Sequence, residues 1–499
     1  MLSGVINTNI NALYALNSLA NTTNTTNTLE QQLSTGLSIN SPADNPAGYI
    51  AAQGFTAQIG GVNQATSNAN QAISLVQTAD GAITQQVNIL QNILSIASQA
   101  ANGGSTSSQL AALQQVVSQL ETQISTISTQ TNFNGVNLLD GTFQGVNFQV
   151  GPGAGQTIGL SLGSTASNQI GAFQSSANTS AGIFKTNGVG TGAVADNTGA
   201  SYVIASGGIG LYATGSVGVS GSAGNASYSV SAKNESAQGI AQSINAITSK
   251  TNVTAVADTS AAFTVTAGSF SFTLGNGNGA AQTNPVTITA TVTSVSQSGL
   301  AGLVNAINEN TGSTGVAATV NANNQLILTN AQGDNISIAN FSGSGSLAAG
   351  GTTTTTIDSS HTSATVQGLV TLQSNQSFAL APASSDIGLN TSSALSAVSS
   401  VNVSTTAGAT AALNVVQYAL QQLENVGGQL GATQQRLQAT VSNLQSANTN
   451  LTAAQAVVQD ANIPEVSTKL TQQEILQQAG ISALSQSSQL QQSFLKLLQ

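Results

Sequence analysis

The sequence predicts an α+β protein, with a coiled-coil helical core built from both termini and a β-rich outer domain inserted between them. Apolar residues recur at alternating steps of four and three across 48–101 and 413–451, a period typical of packed α-helices. Residues 175–400 are instead rich in Gly, Ser, Thr and short β-branched runs, which is typical of strands and turns. At 499 residues, the chain is too long for one ordinary core.

Charged side chains are scarce. Six basic and 16 acidic residues give a net charge of −10, and no Lys or Arg precedes Lys185. So few cations argue against nucleic acid or an anionic membrane as a partner. The absence of Cys and the single His argue against thiol catalysis, metal sites and disulfides, so we expect no cofactor and no enzyme activity. Contacts made without ion pairs should also lose little in acid, although compositional drift explains the scarcity equally well.

The sequence shows no membrane or secretion signal of the usual kind. No run of about 20 apolar residues could span a bilayer. The N-terminal stretch lacks a basic segment followed by a continuous apolar one, so no cleavable signal peptide is expected. By itself this pattern predicts a cytoplasmic protein.

Residues 1–40 carry a sparse helical pattern, which the polar stretch Asn21–Thr28 is expected to interrupt. Such a segment needs a partner helix to stay folded. The two prolines in Ser41–Pro46 then break the chain, and Asn45 with Pro46 can cap the helix that follows.

The next helix organises the rest of the chain. Its seam of small or apolar residues runs from Gly48 to Ala101 and is broken only at Thr66 and Asp80. At about 1.5 Å per residue, a helix over this range is about 80 Å long. A helix this long cannot cover its own stripe. The short turn Asn102–Ser105 and the renewed apolar period after it predict an antiparallel helical hairpin.

Beyond this hairpin the apolar period falls to two. Val146–Val150 and Ile158–Leu162 flank a glycine-rich turn, which predicts a β-hairpin. Further along, Gly239–Ile247 and Gly299–Ile307 share one pattern, and strand candidates follow each. We therefore expect two repeat units, at about 209–276 and 270–340, although a flexible Ser/Gly linker remains the alternative.

The helical pattern returns at Leu413, stops at Asn462–Glu465 and ends in a leucine-rich amphipathic tail over 465–499. The terminal apolar stripes exceed what one hairpin can cover, so self-association is expected.

Several segments resemble those of bacterial flagellins. Ile6–Asn9 resembles the family's opening, and Glu30–Ser41 (EQQLSTGLSINS) resembles its signature, with Gln32 and Ser38 where the family usually has arginine. Further matching segments are Phe133–Val136, Gln149–Gly151, Gly431–Leu437, Ile475–Gly480 and Phe494–Leu498. The two repeat units resemble the IN motif of flagellin outer domains more weakly.

The resemblance implies a structural subunit that polymerises into the flagellar filament for swimming. It implies that 1–45 pairs with 455–499 as an inner helical layer, that 46–175 with 405–454 forms the next layer, and that 176–404 is exposed. It also implies type III export to the outside of the cell without signal cleavage, which replaces the cytoplasmic expectation. Its expected partners are other copies of the chain, the export apparatus, an export chaperone and the filament cap protein, with glycans on outer Ser and Thr.

The residues expected at assembly contacts are apolar and lie in the terminal helices. They are Leu13, Leu16, Leu33, Leu37, Ile73, Ile83, Leu90, Leu94, Leu420, Leu437, Leu444, Ile475, Leu484, Phe494 and Leu497. The hook–filament junction protein shares such termini and is the alternative. An enzyme would need a catalytic cluster in 176–404, where one His and few charges argue against it. We expect His361 to be a solvated loop residue and Arg436 to form at most a structural ion pair.

Overall fold

The computed structural model describes residues 9–176, 184–185, 191–192, 194–195, 201–202, 215–230, 236–278, 281–321, 323–349, 355–366, 368–382 and 392–497. The chain divides into two compact units. The first comprises Met1–Gln77, Gly145–Ser161 and Leu430–Gln499, and the second comprises Thr78–Gln144 and Leu162–Gln429. The predicted division into an inner pair, a bundle and an outer domain remains a prediction.

The helices lie mainly towards the two ends of the chain. They are α1 Ile10–Thr35, α2 Pro46–Ala101, α3 Ser107–Gln130, α4 Ala237–Asn245, α5 Thr248–Thr251, α6 Gln297–Asn308, α7 Thr311–Thr314, α8 Thr406–Gln459 and α9 Ile463–Leu497, with a 3-10 turn at Val398–Ser400.

The strands lie between the terminal helices, which confirms the α+β class. They are β1 Asn132–Phe133, β2 Val136–Asn137, β3 Val146–Gln149, β4 Thr157–Leu160, β5 Gly171–Ser176, β6 Phe184–Lys185, β7 Thr191–Gly192, β8 Val194–Ala195, β9 Ser201–Tyr202, β10 Gly215–Gly221, β11 Gly224–Val230, β12 Thr254–Val265, β13 Gly268–Asn278, β14 Ala281–Val292, β15 Ala317–Val320, β16 Leu326–Asn330, β17 Ile336–Ser342, β18 Leu347–Ala349, β19 Thr355–Ile357, β20 Ala364–Val366, β21 Leu369–Ser374, β22 Ala379–Pro382 and β23 Ala394–Ala397.

Every described strand pair is antiparallel, as expected where hairpins connect neighbours. In the first unit, β3 and β4 form the predicted hairpin. In the second unit, the largest sheet follows the order β15-β16-β12-β21-β5-β23, and β18 and β19 join it beside β12. A four-stranded sheet has the order β14-β13-β17-β20, and a three-stranded one has the order β11-β10-β22.

Helix α1 is continuous through Asn21–Thr28, so the expected interruption is wrong. The hydroxyls of Thr22, Thr25, Thr26 and Thr28 each donate to the carbonyl four residues earlier, at 2.9–3.0 Å. Such bonds slightly weaken a helix, so the continuity comes from packing instead: Thr26 is buried, and Thr23 Oγ1 accepts a bond of 3.3 Å from Gln477 Nε2 of α9. The helix ends at Gly36, whose φ of 72° is left-handed.

The predicted cap of α2 is confirmed. Asn45 Oδ1 accepts a hydrogen bond of 3.0 Å from the backbone N–H of Gly48, and Pro46 is the first helical residue. At the far end, α2 stops at Ala101, and Thr106 caps α3 with a reciprocal bond pair to Gln109. The turn between them is therefore where the sequence places it.

The observed buried seam of α2 agrees with the predicted one at alternate positions. At the positions between them, the buried residue lies one place earlier in the sequence than predicted. Seven expected residues are buried, namely Ala52, Val62, Ala69, Val76, Ile83, Leu90 and Ala97. The intervening buried residues are Ala65, Ala72, Ala79, Gln86, Ile93 and Ala100, each one position before the residue that the pattern indicated. Alanines allow helices to approach closely because interaxial distance depends on the side chains at the contact. The shift also explains the two polar breaks: Thr66 is half-buried and Asp80 is exposed.

Two helix–strand segments of the second unit share one pattern of hydrogen bonds, while the bounds of the repeat units stay a prediction. Asn245 exchanges two bonds with the backbone of Ala255, at 2.9 and 2.8 Å, and Asn308 does the same with Ala318, at 2.9 and 2.7 Å. Helix α6 has 12 residues and α4 has nine, so α6 is longer by almost one turn. Each helix thus anchors to the strand that follows it through an equivalent asparagine.

Two leucines of α2 that differ in burial test which residues form the buried seam. Leu90→Ala should lower the free energy of unfolding of the helical bundle by about 2–5 kcal/mol, because Leu90 is fully buried and the change leaves a cavity. Leu94→Ala is the matched control: Leu94 is only half-buried, so its loss should be clearly smaller. Urea unfolding followed by helical circular dichroism measures both. Equal losses would show that the two positions share the seam equally.

Candidate assembly interface

The terminal helices α1 and α9 run antiparallel and pack against each other, but few of their side chains become buried. Asn9 Nδ2 donates to the carbonyl of Ser487 at 3.4 Å, and Gln477 Nε2 donates to Thr23 Oγ1 at 3.3 Å. Within α1 only Thr26 and Leu29 are buried. This pair therefore has little core of its own.

Large apolar side chains on these helices face outward. On α1 they are Ile10, Leu13, Tyr14, Leu16 and Leu33, with exposed fractions of 39%, 58%, 71%, 53% and 39%. On α9 they are Ile475, Leu476, Ile481 and Leu490, with exposed fractions of 61%, 47%, 54% and 54%. Contiguous exposed apolar surface of this kind marks a protein interaction site.

A shallow groove lies on α1 itself. It is lined by Ile10, Leu13, Tyr14, Leu16, Asn17 and Ala20. These residues follow each other at steps of one to three, so they cover one broad side of the helix. The groove presents a ready apolar surface to another helix.

Charged side chains are rare on α1 and more frequent on α9, which carries Glu465, Lys469, Glu474 and Lys496. Glu30 is the one charged residue in α1. In α9 the described ion pair joins Lys469 Nζ to Glu465 Oε1 at 2.8 Å, with both side chains more than half exposed. The hydrogen bond from Lys469 holds the pKa of Glu465 below its usual value, but solvent screens such a pair. Apolar contact is therefore the main attraction that these helices offer.

Helices α2 and α8 pack antiparallel within the first unit. Val62 and Ala65 pack against Leu444, and Leu451 lies alongside. Side-chain amides flank this cluster: Asn448 Nδ2 donates to Asn63 Oδ1 at 2.6 Å, and Gln455 Nε2 donates to Thr56 Oγ1 at 2.8 Å. The hairpin β3–β4 is tied to α2 by Asn68 Nδ2, which donates to the carbonyl of Gln149 at 3.0 Å.

The predicted contact residues fall into three groups by burial. Ile83, Leu90, Leu437 and Leu444 are buried in the subunit, and Leu37, Ile73, Leu94, Leu420 and Leu484 are half-buried. Leu13, Leu16, Leu33 and Ile475 are exposed. Phe494 and Leu497 belong to α9, but their side chains lie outside the described residues. The exposed group is the part of the prediction that another molecule could contact.

Sequence reasoning missed several exposed apolar residues. Tyr14 and Ile481 lie on the outward faces of α1 and α9, while Ile50 is 73% exposed on α2 and Val457 is 88% exposed on α8. The signal for Tyr14 was its position one turn after Ile10. Nothing in the local pattern separates Val457 from a core valine.

A buried polar group lies in the second unit between α2 and α3. Gln86 Nε2 donates to the carbonyls of Ile124 at 3.0 Å and Thr165 at 3.4 Å. Glu121 precedes Ile124 by one helical turn and is 8% exposed. Oε1 of Gln86 and Oε1 of Glu121 have no hydrogen-bond partner among the described residues. Burial therefore raises the pKa of Glu121 to about 7.

The structure also places the two charged residues that the sequence singled out, His361 and Arg436. His361 lies in a turn, where its backbone N–H and its ring Nδ1 contact Asp358 Oδ1 at 2.9 and 3.2 Å. Arg436 is exposed and belongs to neither of the two described ion pairs. The described residues include no cluster of three metal-ligating side chains and no helix able to cross a membrane.

Comparison with known proteins identifies the family. Family models for the bacterial flagellin N-terminal and C-terminal helical regions match residues 6–144 and 413–498, and a flagellin hook IN motif matches 269–332. B-type flagellin of Pseudomonas aeruginosa is 33% identical over 99% of both chains. The chain belongs to the flagellin family. Flagellin B of Helicobacter pylori is 30% identical, again over 99% of both chains.

Membership explains the terminal helices. A flagellin is a structural subunit that polymerises into the bacterial flagellar filament for motility, and the full-length relatives favour this over the junction-protein alternative. Among solved structures, FliC from Burkholderia pseudomallei is 21% identical, with a TM-score of 0.29 over 73% of this chain and 99% of that one. That TM-score is too low to support an argument about function.

The buried Glu121 predicts an unusual pH dependence. Its pKa is about 7 in the folded flagellin and about 4.5 when exposed, so the folded state retains the proton that the unfolded chain releases. Its contribution to stability is then highest below pH 4.5 and falls as the pH rises to about 7. Glu121→Gln keeps the shape without the charge. This variant should match the native protein near pH 4 and exceed it at pH 8 by about 1–3 kcal/mol in free energy of unfolding.

Urea unfolding at a series of pH values measures this difference. Glu309→Gln is the matched control, because Glu309 is exposed and should leave the profile unchanged. A Glu121→Gln variant that is less stable than native at pH 8 would contradict the account.

Proposed function

We propose that subunits of this flagellin polymerise through the outward apolar faces of α1 and α9. The observation that carries the proposal is the row of exposed leucines, isoleucines and Tyr14 on helices that have almost no core of their own. Burial of one such side chain contributes about 1.5–3 kcal/mol. Another copy of the chain offers the same faces, so subunit addition can bury many of them at once.

The terminal helices are marginal in a single subunit. With two buried residues in 26, α1 gains little from its own chain, and its threonine and asparagine content lowers its intrinsic helix propensity. We propose that α1 and α9 reach full stability only between neighbouring subunits. Assembly and ordering of the termini would then be one event, which prevents premature polymerisation of isolated chains.

The arrangement of the filament follows from the same idea. We propose that 1–45 with 455–499 forms its innermost layer, 46–175 with 405–454 the next, and 176–404 the outer surface. The outward apolar side chains of the termini suit a place between neighbouring subunits, and the Ser- and Thr-rich middle suits the solvent-exposed exterior, where glycans could be attached. Export to the cell exterior by the flagellar type III apparatus, with a chaperone and the filament cap protein, completes the proposal.

A single substitution tests the assembly faces. Leu13→Asn should raise the critical concentration for polymerisation about tenfold or more, because one exposed leucine no longer gains from burial. Growth from short filament seeds, followed by light scattering and electron microscopy, measures this concentration.

Val256→Asn is the matched control, since Val256 is also exposed, at 43%, but lies on β12. Its critical concentration should equal that of the native chain. If Leu13→Asn filaments grew as readily as Val256→Asn filaments, α1 would not be an assembly face.

A further inference from the structure

The strand β14 forms an unusually long sheet edge in the second unit. It spans Ala281–Val292, 12 residues, and pairs with β13 on one side. No described strand pairs with its other side. Strands in globular proteins are usually five or six residues long, and an edge exposes unpaired N–H and C=O groups to which another strand can bind.

The side chains of β14 alternate cleanly. Ile288 and Val292 are 1% exposed and belong to the core, together with Leu303 and Ile307 of α6. Thr287, Thr289 and Thr291 are exposed on the other face. Helix α6 packs on the buried face of the strand, and the threonine face meets solvent.

This edge lacks the usual protection against pairing. Natural edge strands carry charges, prolines or bulges that repel or block a second strand. Here residues 259–308 contain no charged residue. Pro285 and the left-handed Asn284, with φ of 49°, disrupt only the beginning of β14. The segment Val286–Val292 is left without any such feature.

We propose that Val286–Val292 pairs antiparallel with the same segment of a second copy of the chain, centred on Thr289. This register places Thr287 opposite Thr291 and Ile288 opposite Ala290. The threonine faces of the two strands therefore lie on the same side of the joined sheet, and their apolar faces lie on the other side. A two-fold axis makes such an interface self-complementary. The two four-stranded sheets then continue into one sheet of eight strands.

The chemistry of the edge selects a second copy as its partner. Cross-strand threonine pairs are favourable, and an uncharged segment avoids the repulsion that a net charge of −10 creates between other surfaces of two copies. One such strand pair is a small interface and binds weakly. Copies displayed side by side on a polymer would strengthen it through multivalency, so the edge would join filaments laterally. The pairing itself is independent of the terminal helices.

Disulfide trapping tests the register, because the native chain has no Cys. Directly opposed residues of antiparallel strands have Cα atoms about 4.5–5.5 Å apart, within the range that a disulfide spans. Thr289→Cys should therefore give covalent dimers on mild oxidation about tenfold faster than Thr319→Cys, because pairing raises the local thiol concentration. Thr319 is an exposed threonine on the edge strand β15 and provides the matched control.

A mixture of two variants makes the test specific. Thr287→Cys and Thr291→Cys should cross-link to each other readily but each poorly to itself, since only the mixed pair is opposed in this register. All variants are made in full-length chains that also carry Leu13→Asn, so that filament growth through α1 does not supply the contact. Failure of the terminal-helix proposal would appear in seeded growth and not in this pattern.

Two results would overturn the proposal. One is cross-linking of Thr289→Cys no faster than that of Thr319→Cys. The other is a mixture of Thr287→Cys and Thr291→Cys that forms like pairs as readily as mixed ones, which indicates random collision.

Discussion

This flagellin depends on two terminal helices whose apolar faces its own chain does not cover. Leu29 of α1 and Val466 of α9 are buried, whereas Leu13, Leu16 and Ile475 are more than half exposed. Helices of this kind gain their stability from packing rather than from propensity. In the proposed assembly, the same surfaces that leave the single subunit incompletely packed provide the attraction between subunits, so the fold and the filament would be completed together.

Because charged residues are scarce, neutral hydrogen bonds make most of the polar contacts in the rest of the subunit. Amide and hydroxyl bonds replace ion pairs, as between Asn448 and Asn63 beside the α2–α8 cluster. The described residues contain two ion pairs, and both lie at exposed sites, where screening makes them weak. The buried Glu121 is most compatible with the fold when protonated. Acid therefore costs nothing at Glu121, whereas hydrogen bonds hold the pKa values of Asp44 and Asp140 below their usual range, so protonation of these two carboxyls in acid lowers stability.

Hydrophobic periodicity predicted the existence and order of the helices but not their exact buried faces. The seam of α2 contains Ala72 and Ala79 rather than Ile73 and Asp80, because small residues permit close helix packing that a search for large apolar residues overlooks. Helix α1 continues through Asn21–Thr28 because packing against α9 overrides its low propensity, as the buried Thr26 and the bond between Gln477 and Thr23 show. Exposed residues such as Val457 become visible only once three-dimensional packing has covered their neighbours.

Hydrogen–deuterium exchange of the terminal helices tests the central claim most directly. Amides of α1 and α9 should exchange quickly in the soluble subunit and slowly in the filament, since their helical hydrogen bonds open easily until the apolar faces are buried. The amides of α2 around Leu90 should be protected in both states. Equal protection of α1 and α9 before and after polymerisation would contradict the claim that neighbouring subunits complete them.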